Sequence, residues 1–402
     1  MKTESKKQFN EAENPKLDQS SLGLSALSFE LKIGFDGKRA ANNLTGLGNY
    51  SRSLIEQLAN EFPANEYFIY APRVKENIQK LAVFKQPNIH LVLPNQSKFL
   101  WRSIGIKKQL LDDQVELFHG LSHEIPFGIH KTGIKSIVTI HDLIFLRKPE
   151  YYQFIDRFIY KLKSKYACEN ADRIIAISEK TKEDIVDLYN IDPAKIEVIY
   201  QSCDDSFKKT ASELDQQKIK DKYHLPAQFM LSVGTIEARK NLLVIIKALP
   251  KIPQNFKLVV IGKETAYIKL VKQEIEKLGL NDRVIFLQNI PFGDLPIIYQ
   301  MAKVFVLPSY YEGFGIPIIE ALFSKVPVIA ATGSCLEEAG GPDSLYASPD
   351  DVEGFATAIN TVIADERHCE NMIVKGLAYV QKFNSKLVSE QLMDCYIKTL
   401  NK

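Results

Sequence analysis

The residues best suited to chemistry in this sequence are two pairs of charged side chains in its C-terminal half. Arg239 and Lys240 follow the apolar segment FMLSVG, and Glu312 and Glu320 follow the apolar segment VFVLPS. Adjacent cations at or just before a helix start favour an anion such as phosphate, because free helix amides attract negative charge and arginine can bind two oxygens. A loop carboxylate can accept hydrogen bonds from sugar hydroxyls, and a helix carboxylate can bind the vicinal hydroxyls of a ribose. The alternatives are a solvated basic helix terminus and surface carboxylates.

Glycines occur where a backbone could approach such a ligand closely. Gly313 and Gly315 lie between the two glutamates, and Gly46 and Gly48 precede a helical pattern in the segment GLGNYSRSLIEQL. The second segment matches a dinucleotide-binding fingerprint only in part, because Ser51 occupies the third glycine position. It is interpreted either as a phosphate-binding loop or as an ordinary N-terminal turn.

Three histidines, His119, His123 and His141, follow strand-like segments in the N-terminal half. His141, next to Asp142, could donate a hydrogen bond to a reacting sugar, and the alternative is a satisfied residue at a strand end. The dispersed spacing of the histidines, without neighbouring cysteines, argues against zinc. No Asp-x-Asp motif is present to hold a divalent metal. We therefore expect no metal and no cofactor, with the two cations neutralising the ligand.

The elements that must position these residues form two series of short apolar runs alternating with helical patterns. Such alternation predicts an α/β fold with two doubly wound parallel sheets, whose carboxyl ends face a shared crevice. The polar segment QSCDDSFKKTASELDQQ predicts the seam near residue 205. We expect a disordered extension over 1–28, an N-terminal domain over 29–204 and a C-terminal domain over 205–384. Residues 385–402 form a terminal helix that can pack on either domain, including back on the N-terminal one.

Composition restricts the partners and the compartment. The formal net charge of +2 gives no reason to expect nucleic acid as a partner, and five scattered cysteines indicate free thiols in a reducing compartment. No apolar run is long enough to span a membrane, and the N-terminus lacks a secretory pattern. We expect a cytoplasmic protein that can bind the inner face of the membrane peripherally. Residues 98–111, KFLWRSIGIKKQLL, mix apolar and basic side chains, which suits either an anionic membrane surface or a helix packed on the sheet.

The motifs together resemble a known family. The run FVLPSYYEGFGIPIIEALFSKVPVIAA resembles the Glu-x7-Glu signature of retaining GT-B glycosyltransferases of family 4, and SVGTIEARKNL resembles the diphosphate-binding segment of that family. The segments GLGNYSRSL, TIHDL and ADRIIAISEKTKEDI have counterparts in the same order. The resemblance covers most of the chain from Leu31 and implies GT-B architecture, with two facing Rossmann-like domains around the ligand crevice.

The resemblance also implies residue roles. Arg239 and Lys240 would bind the diphosphate of a nucleotide sugar, and Glu320 its ribose. Glu312 would bind the transferred sugar and His141 would lie near the reacting carbon, so that Arg239, Lys240, Glu312 and His141 form the catalytic set. Further donor contacts would come from Gly48, Gly313, Phe314 and Gly315. The candidates on the acceptor side are His119, His123 and Asn49.

The expected activity is transfer of a hexose with retention to a glycan or lipid-linked oligosaccharide in polysaccharide biosynthesis. The segment TIEARKN resembles the version in mannosyltransferases, which favours GDP-mannose as donor. The alternatives are a transferase that uses a UDP-hexose, a nucleotide-sugar epimerase of the same fold, and a non-catalytic GT-B subunit that binds without turnover. The intact set of charged residues argues against the last alternative.

Overall fold

A computed structural model describes residues 30–43, 46–94 and 100–402 of the chain. The extension predicted over 1–28 lies outside these residues. The described chain forms two parallel β-sheets of seven and six strands, each covered by helices. The predicted α/β fold class and GT-B architecture are therefore confirmed.

The first sheet has the strand order β3-β2-β1-β4-β5-β6-β7, and all of its paired strands are parallel. Its strands are nearly continuous apolar runs because helices cover both faces. They are β1 (Lys32–Asp36), β2 (Glu66–Tyr70), β3 (Ile89–Val92), β4 (Leu117–Gly120), β5 (Lys135–Ile140), β6 (Arg173–Ala176) and β7 (Ile196–Val198). The helices of this half are α1 (Lys38–Asn42), α2 (Gly46–Glu61), α3 (Glu76–Gln79), α4 (Ile106–Asp112), α5 (Ile144–Arg147), α6 (Phe154–Asn170) and α7 (Glu179–Tyr189).

The second sheet has the order β10-β9-β8-β11-β12-β13 and is also parallel. Its strands are β8 (Phe229–Val233), β9 (Lys257–Ile261), β10 (Val284–Leu287), β11 (Val304–Leu307), β12 (Val328–Ala331) and β13 (Leu345–Ala347). Its helices are α8 (Glu213–Tyr223), α9 (Leu242–Ala248), α10 (Ile268–Lys277), α11 (Leu295–Met301), α12 (Ile316–Phe323), α13 (Leu336–Gly340), α14 (Val352–Ala364) and α15 (Glu366–Val380). Twelve strands coincide with predicted apolar runs, whereas the three-residue edge strand β13 is too short to give such a run.

The final helix, α16 (Ser385–Leu400), leaves the second half and packs against α2 of the first. Its buried residues Val388, Leu392, Met393 and Tyr396 belong to the same apolar cluster as Ile33 and Leu58. The chain therefore crosses between the two halves twice, once after β7 and once before α16.

The two crossings touch each other. The Lys208 ammonium donates to the Ser385 hydroxyl at 2.9 Å, and that hydroxyl donates to Asp205 at 2.8 Å. Beside them, the rings of Tyr200 and Phe383 meet edge to face with their centroids 5.2 Å apart. Polar and aromatic contacts therefore join the two connecting segments into one unit.

Helix α16 also fixes one of the predicted site residues in the core. The two ring nitrogens of fully buried His119 lie 2.7 Å from the Tyr396 hydroxyl and 2.7 Å from the Thr139 hydroxyl. Burial and the neighbouring His141 lower the pKa of His119 to about 3, so the ring stays neutral. His119 therefore links α16 to the first sheet.

All five cysteines are buried free thiols. Within the ranges given above, no helix combines the length and the apolar composition needed to cross a bilayer.

The link through His119 can be tested with Tyr396→Phe. This change leaves a buried ring nitrogen of His119 without its partner, which costs about 1–3 kcal/mol of folding stability. We expect the urea midpoint of unfolding to fall, as followed by circular dichroism. Tyr160→Phe is the matched control because this ring is 44% exposed, and equal shifts in the two variants would contradict the assignment.

Candidate active site

A cleft of about 510 Å³ lies between the carboxyl ends of the two sheets. Its size is within the range of small-molecule sites, and its position is the one at which open parallel sheets bind ligands. Both halves of the chain contribute to its walls. Among the predicted site residues that line it are Asn49, His141, Arg239, Lys240, Glu312, Gly313, Phe314, Gly315 and Glu320.

The centre of the cleft is an ion triad. The Lys240 ammonium lies 2.5 Å from one carboxylate oxygen of Glu312, and the Arg239 guanidinium lies 2.8 Å from the other. Arg239 also donates to the Tyr311 carbonyl at 2.6 Å and to Glu237 at 2.7 Å. The two cations predicted to bind an anion therefore meet at a single carboxylate.

The charge state of Glu312 follows from this arrangement. Burial opposes ionisation of the carboxylate, but the positive charges of Lys240 and Arg239 prevail and lower the pKa of Glu312 to about 2. Glu312 is therefore ionised throughout the neutral range.

The local backbone places the two cations just before the start of a helix, as expected. Arg239 and Lys240 lie in a single 3₁₀ turn, and Asn241 with φ of 54° separates this turn from the start of α9 at Leu242. Asparagine tolerates this left-handed conformation and so permits the change of direction. The cations thus precede the helix, and the turn aims them across the cleft at Glu312.

Glu320 lies in α12, and its carboxylate faces the cleft. The Tyr299 hydroxyl of α11 donates to it at 2.9 Å. Burial is the main influence on its acidity, and the nearby Asp204 charge adds to it, so that the pKa of Glu320 rises to about 7 despite the hydrogen bond. The two glutamates of the signature therefore have opposite pKa shifts.

His141 lies at the end of β5 with both ring nitrogens engaged. Its Nε2 atom donates to the Leu121 carbonyl at 2.8 Å, and its Nδ1 atom accepts from the Gln201 amide at 3.1 Å. Burial and the adjacent His123 lower the pKa of His141 to about 4. The Tyr50 ring contacts the imidazole edge to face at 5.0 Å between centroids. The ring is therefore neutral and held in one orientation.

The loop that carries Glu312 also contacts the other half of the chain. A β-carbon on Gly313 would lie 2.1 Å from the His141 carbonyl oxygen, so only glycine permits this approach. The Ser178 hydroxyl donates to the Gly313 carbonyl at 2.8 Å, and the Tyr311 hydroxyl donates to Asp184 at 2.5 Å. This loop therefore belongs to the contact between the two halves.

The N-terminus of α7 completes that contact. The Glu338 carboxylate, from the second half, accepts from the backbone amides of Glu179 at 2.7 Å and Lys180 at 3.0 Å. A carboxylate is favourable at this position because the free amides of a helix start carry partial positive charge. This pairing across the two halves was not predicted.

Three predicted contacts do not fit the observed positions. His119 is fully buried with both nitrogens paired, and His123 lies behind His141, where its Nε2 accepts from the His141 backbone amide at 2.9 Å. Neither lines the cleft, because hydrogen bonds within the first domain and with α16 hold both rings away from it. A β-carbon on Gly48 would lie 1.9 Å from the Asn43 carbonyl oxygen, so this glycine serves packing inside the first half. Its neighbours Gly46 and Asn49 line the cleft instead.

Several lining residues escaped prediction. Gln201, which orients His141, lies in the connecting segment, and Ser389 and Leu392 reach the cleft only because α16 returns to the first half. Asp142 caps the turn after β5 by accepting from the Ile144 amide at 3.1 Å. Across the residues that the structure describes, no group of three or more His, Cys, Asp or Glu side chains is placed to hold a metal ion.

The two facing parallel sheets and the cleft between their carboxyl ends form the GT-B architecture. The chain superposes on a crystal structure of Anabaena Alr3699/HepE in complex with UDP and glucose with a TM-score of 0.74, at 18% identity, over 92% of this chain and 100% of that one. It superposes on sucrose-phosphate synthase of Thermosynechococcus elongatus with a TM-score of 0.73, at 21% identity, over 92% and 98% of the two chains. These likenesses establish the fold.

Sequence comparison supplies the family. Residues 44–207 match the model of "Glycosyltransferase Family 4", and residues 215–378 match that of "Glycosyl transferases group 1". The chain therefore belongs to glycosyltransferase family 4, also described as glycosyl transferases group 1, as its motifs predict. It is similar to O-antigen chain mannosyltransferase B of Escherichia coli, 27% identical over 91% of this chain and 99% of the relative. It is also similar to O-antigen chain mannosyltransferase RfbU of Salmonella typhimurium, 31% identical over 60% of this chain and 63% of the relative.

The close approach at Gly313 predicts a loss of activity in Gly313→Ala. The new methyl group must push the loop away from His141, and displacements of about 1 Å in an active site can lower turnover by about 100-fold. We expect turnover to fall by about 10- to 100-fold in an assay of nucleoside diphosphate release. Gly293→Ala is the control, since a β-carbon there would meet no atom within 4 Å. Equal turnover in the two variants would contradict the packing argument.

The raised pKa of Glu320 predicts a pH-dependent stability. Because the folded pKa of about 7 exceeds the ordinary value of 4.5, the folded protein keeps a proton that the unfolded chain releases between these limits. This contribution is complete below pH 4.5 and is lost as the pH rises through about 7. Glu320→Gln lacks this titration. We expect the free energy of unfolding of the parent protein, relative to the variant, to fall between pH 5 and pH 8 in urea titrations. Parallel profiles would show that the carboxyl is already ionised at low pH.

Proposed function

We propose that this glycosyltransferase moves mannose from GDP-mannose, with retention at the anomeric carbon and without a metal ion, to a glycan or lipid-linked oligosaccharide in polysaccharide biosynthesis. The observation that carries the proposal is the Arg239–Glu312–Lys240 triad in the cleft. The triad supports the proposal because two cations suit a negatively charged leaving group and a carboxylate suits the hydroxyls of a sugar.

The triad suggests how a donor is recognised. Diphosphate oxygens would replace Glu312 as the partners of Arg239 and Lys240, since arginine and lysine bind phosphate as readily as carboxylate. The displaced carboxylate would then accept hydrogen bonds from the sugar hydroxyls. Glu320 would bind the ribose hydroxyls, as the resemblance to the family implies. On donor binding, Arg239, Lys240 and Glu312 would thus exchange one set of partners for another, and none of the three would be left without a partner.

The chemistry that fits these groups is stabilisation of a departing diphosphate. Negative charge grows on the leaving group, and the two fixed cations would stabilise it. With donor bound, the Glu312 carboxylate would accept hydrogen bonds from the sugar hydroxyls, and both ring nitrogens of His141 are engaged, so we assign neither residue as a nucleophile. We favour attack of the acceptor hydroxyl on the face from which the diphosphate leaves, with the departing phosphate oxygen taking the acceptor proton.

The choice of donor rests on the segment TIEARKN and on the relatives named O-antigen chain mannosyltransferases. A UDP-hexose is the second candidate, because one structural neighbour, Anabaena Alr3699/HepE, was crystallised with UDP and glucose. A lipid-linked acceptor would place the enzyme in the cytoplasm at the inner membrane face, which is the location expected from the sequence.

A donor panel tests the proposal. The purified protein is incubated with GDP-mannose, UDP-glucose and related donors, with and without EDTA, and release of nucleoside diphosphate is followed together with thermal stabilisation. Selective release from GDP-mannose that resists EDTA would support the proposal. Selective release from a UDP-hexose would show that this sugar nucleotide, and not GDP-mannose, is the donor. Conversion of the donor into an isomer would indicate an epimerase. Stabilisation without release would indicate a binding subunit.

The triad predicts the effect of removing either cation. In Arg239→Ala or Lys240→Ala we expect turnover to fall by about 100-fold or more, as when other charge-stabilising groups are lost. Lys277→Ala is the control, because Lys277 is exposed on α10 and pairs only with Glu274 of the same helix. Near-normal turnover in both active-site variants would rule out the assigned role of the cations.

A further inference from the structure

Helix α6 exposes an apolar surface that the transferase chemistry does not use. Six large hydrophobic side chains within the nine residues of 154–162 are exposed, and the exposed fractions of Phe154 and Ile155 are 74% and 70%. Isolated exposed apolar residues are ordinary, but a contiguous patch marks an interaction surface.

The exposed residues form a stripe along one face of the helix. Phe154, Ile155, Phe158, Ile159 and Leu162 follow the spacing that places side chains on one side of an α-helix. We call these five residues the α6 stripe. The buried residues of the same helix, Ser164, Ala167 and Cys168, lie on the opposite side and pack on the first domain. An amphipathic helix normally turns its apolar face inward, whereas α6 turns this stripe toward solvent.

Cations flank the stripe. Between Phe154 and Lys165 the helix carries four basic residues and a single acid, Asp156. Lys161 is exposed, and the Arg157 guanidinium lies 5.8 Å from the centre of the Phe154 ring. Apolar side chains bordered by lysine and arginine on one exposed helix face suit the interface of an anionic bilayer.

We propose that the α6 stripe inserts into the surface of an anionic lipid bilayer and holds the enzyme there. A second copy of the chain fits the stripe less well. A symmetric dimer would place this surface against itself and so bring the cations of both copies together. Acidic lipid headgroups satisfy those cations, and the acyl boundary accepts the aromatic and aliphatic side chains.

The helix is placed to bring the cleft near such a surface. Tyr151, three residues before the stripe, lines a crevice with Ala238 and Tyr310, directly beside Arg239. Just past the other end of the stripe, Lys163 and Arg102 share the Glu124 carboxylate at 3.0 Å and 2.6 Å. The α6 stripe is thus anchored between the donor site and the segment starting at Trp101.

Of the two alternatives kept for residues 98–111, the structure favours the helix packed on the sheet. Residues 98 and 99 lie outside the described residues, and Trp101, Ile106 and Leu110 are buried in the first domain. Leu100 and Ile104 are exposed, at 54% and 50%. The segment is therefore chiefly a packed element, and the main lipid contact passes to α6.

The test is co-sedimentation of the full chain with lipid vesicles in the absence of donor and acceptor, so that its outcome is independent of the proposed activity. Vesicles of phosphatidylcholine with about 30% phosphatidylglycerol are compared with vesicles of phosphatidylcholine alone. We expect binding to the anionic vesicles that weakens with added salt. Phe154→Ser/Phe158→Ser should lower the partition coefficient at least about tenfold, which corresponds to the loss of about 1.4 kcal/mol.

Leu214→Ser/Val374→Ser is the matched control, because these side chains are 66% and 67% exposed in the other half of the chain. It should bind vesicles as the parent does. Lys161→Glu/Lys165→Glu should lower binding to the anionic vesicles by about tenfold. Failure of the parent chain to bind anionic vesicles would overturn the proposal, as would unchanged binding of the stripe variant. Dimerisation in light scattering that is lost in the stripe variant would assign the surface to a second copy instead.

Discussion

The contact between the loop after β11 and the end of β5 is the constraint on which the site depends. Gly313 lies against the His141 carbonyl, and the Gly313 carbonyl is held by the Ser178 hydroxyl at the start of α7. This contact brings the carboxyl ends of two separate sheets to one place. Without it, Glu312 and His141 would belong to different surfaces, and the cleft would have only one wall.

Pairing of opposite charges determines how the charged side chains in this region are arranged. Two buried cations without a partner would be costly, and so would a buried carboxylate. The chain satisfies all three by placing Glu312 between Arg239 and Lys240. Glu320, only eight residues further along, has no cation beside it in the contacts described, and its single hydrogen bond to Tyr299 leaves its pKa high. One signature thus holds a permanent charge and a titratable group in the same cleft.

Much of this organisation can be predicted from the sequence because buried parallel strands are written as continuous apolar runs. Strands such as β11 and β12 have every residue buried, so their composition shows them directly, and the charged residues that follow mark the edge where ligands bind. The direction in which a single side chain points cannot be predicted from composition in the same way. His119 and His141 both lie near the ends of strands. His119 is buried beneath Tyr396, whereas His141 lines the cleft.

The return of the chain from the second domain to the first is equally difficult to predict from the sequence. Helix α16 has an amphipathic pattern that would suit either domain, and only the contacts with α2 decide between them. The apolar residues of α6 predict a packed helix by the same rule, although the structure turns them outward. Periodicity reveals that a helix has an apolar face, but it does not reveal what that face meets.

The paired crossings at Asp205–Lys208 and Ser385 have a mechanical consequence. Two domains joined by a single linker can rotate about several axes. Two connecting segments held side by side restrict the relative motion of the domains largely to rotation about one axis. That axis passes through Lys208 and Ser385, beside the edge-to-face rings of Tyr200 and Phe383. Any opening of the cleft would therefore follow rotation about this axis, and closure would return Glu312 to the same position relative to His141.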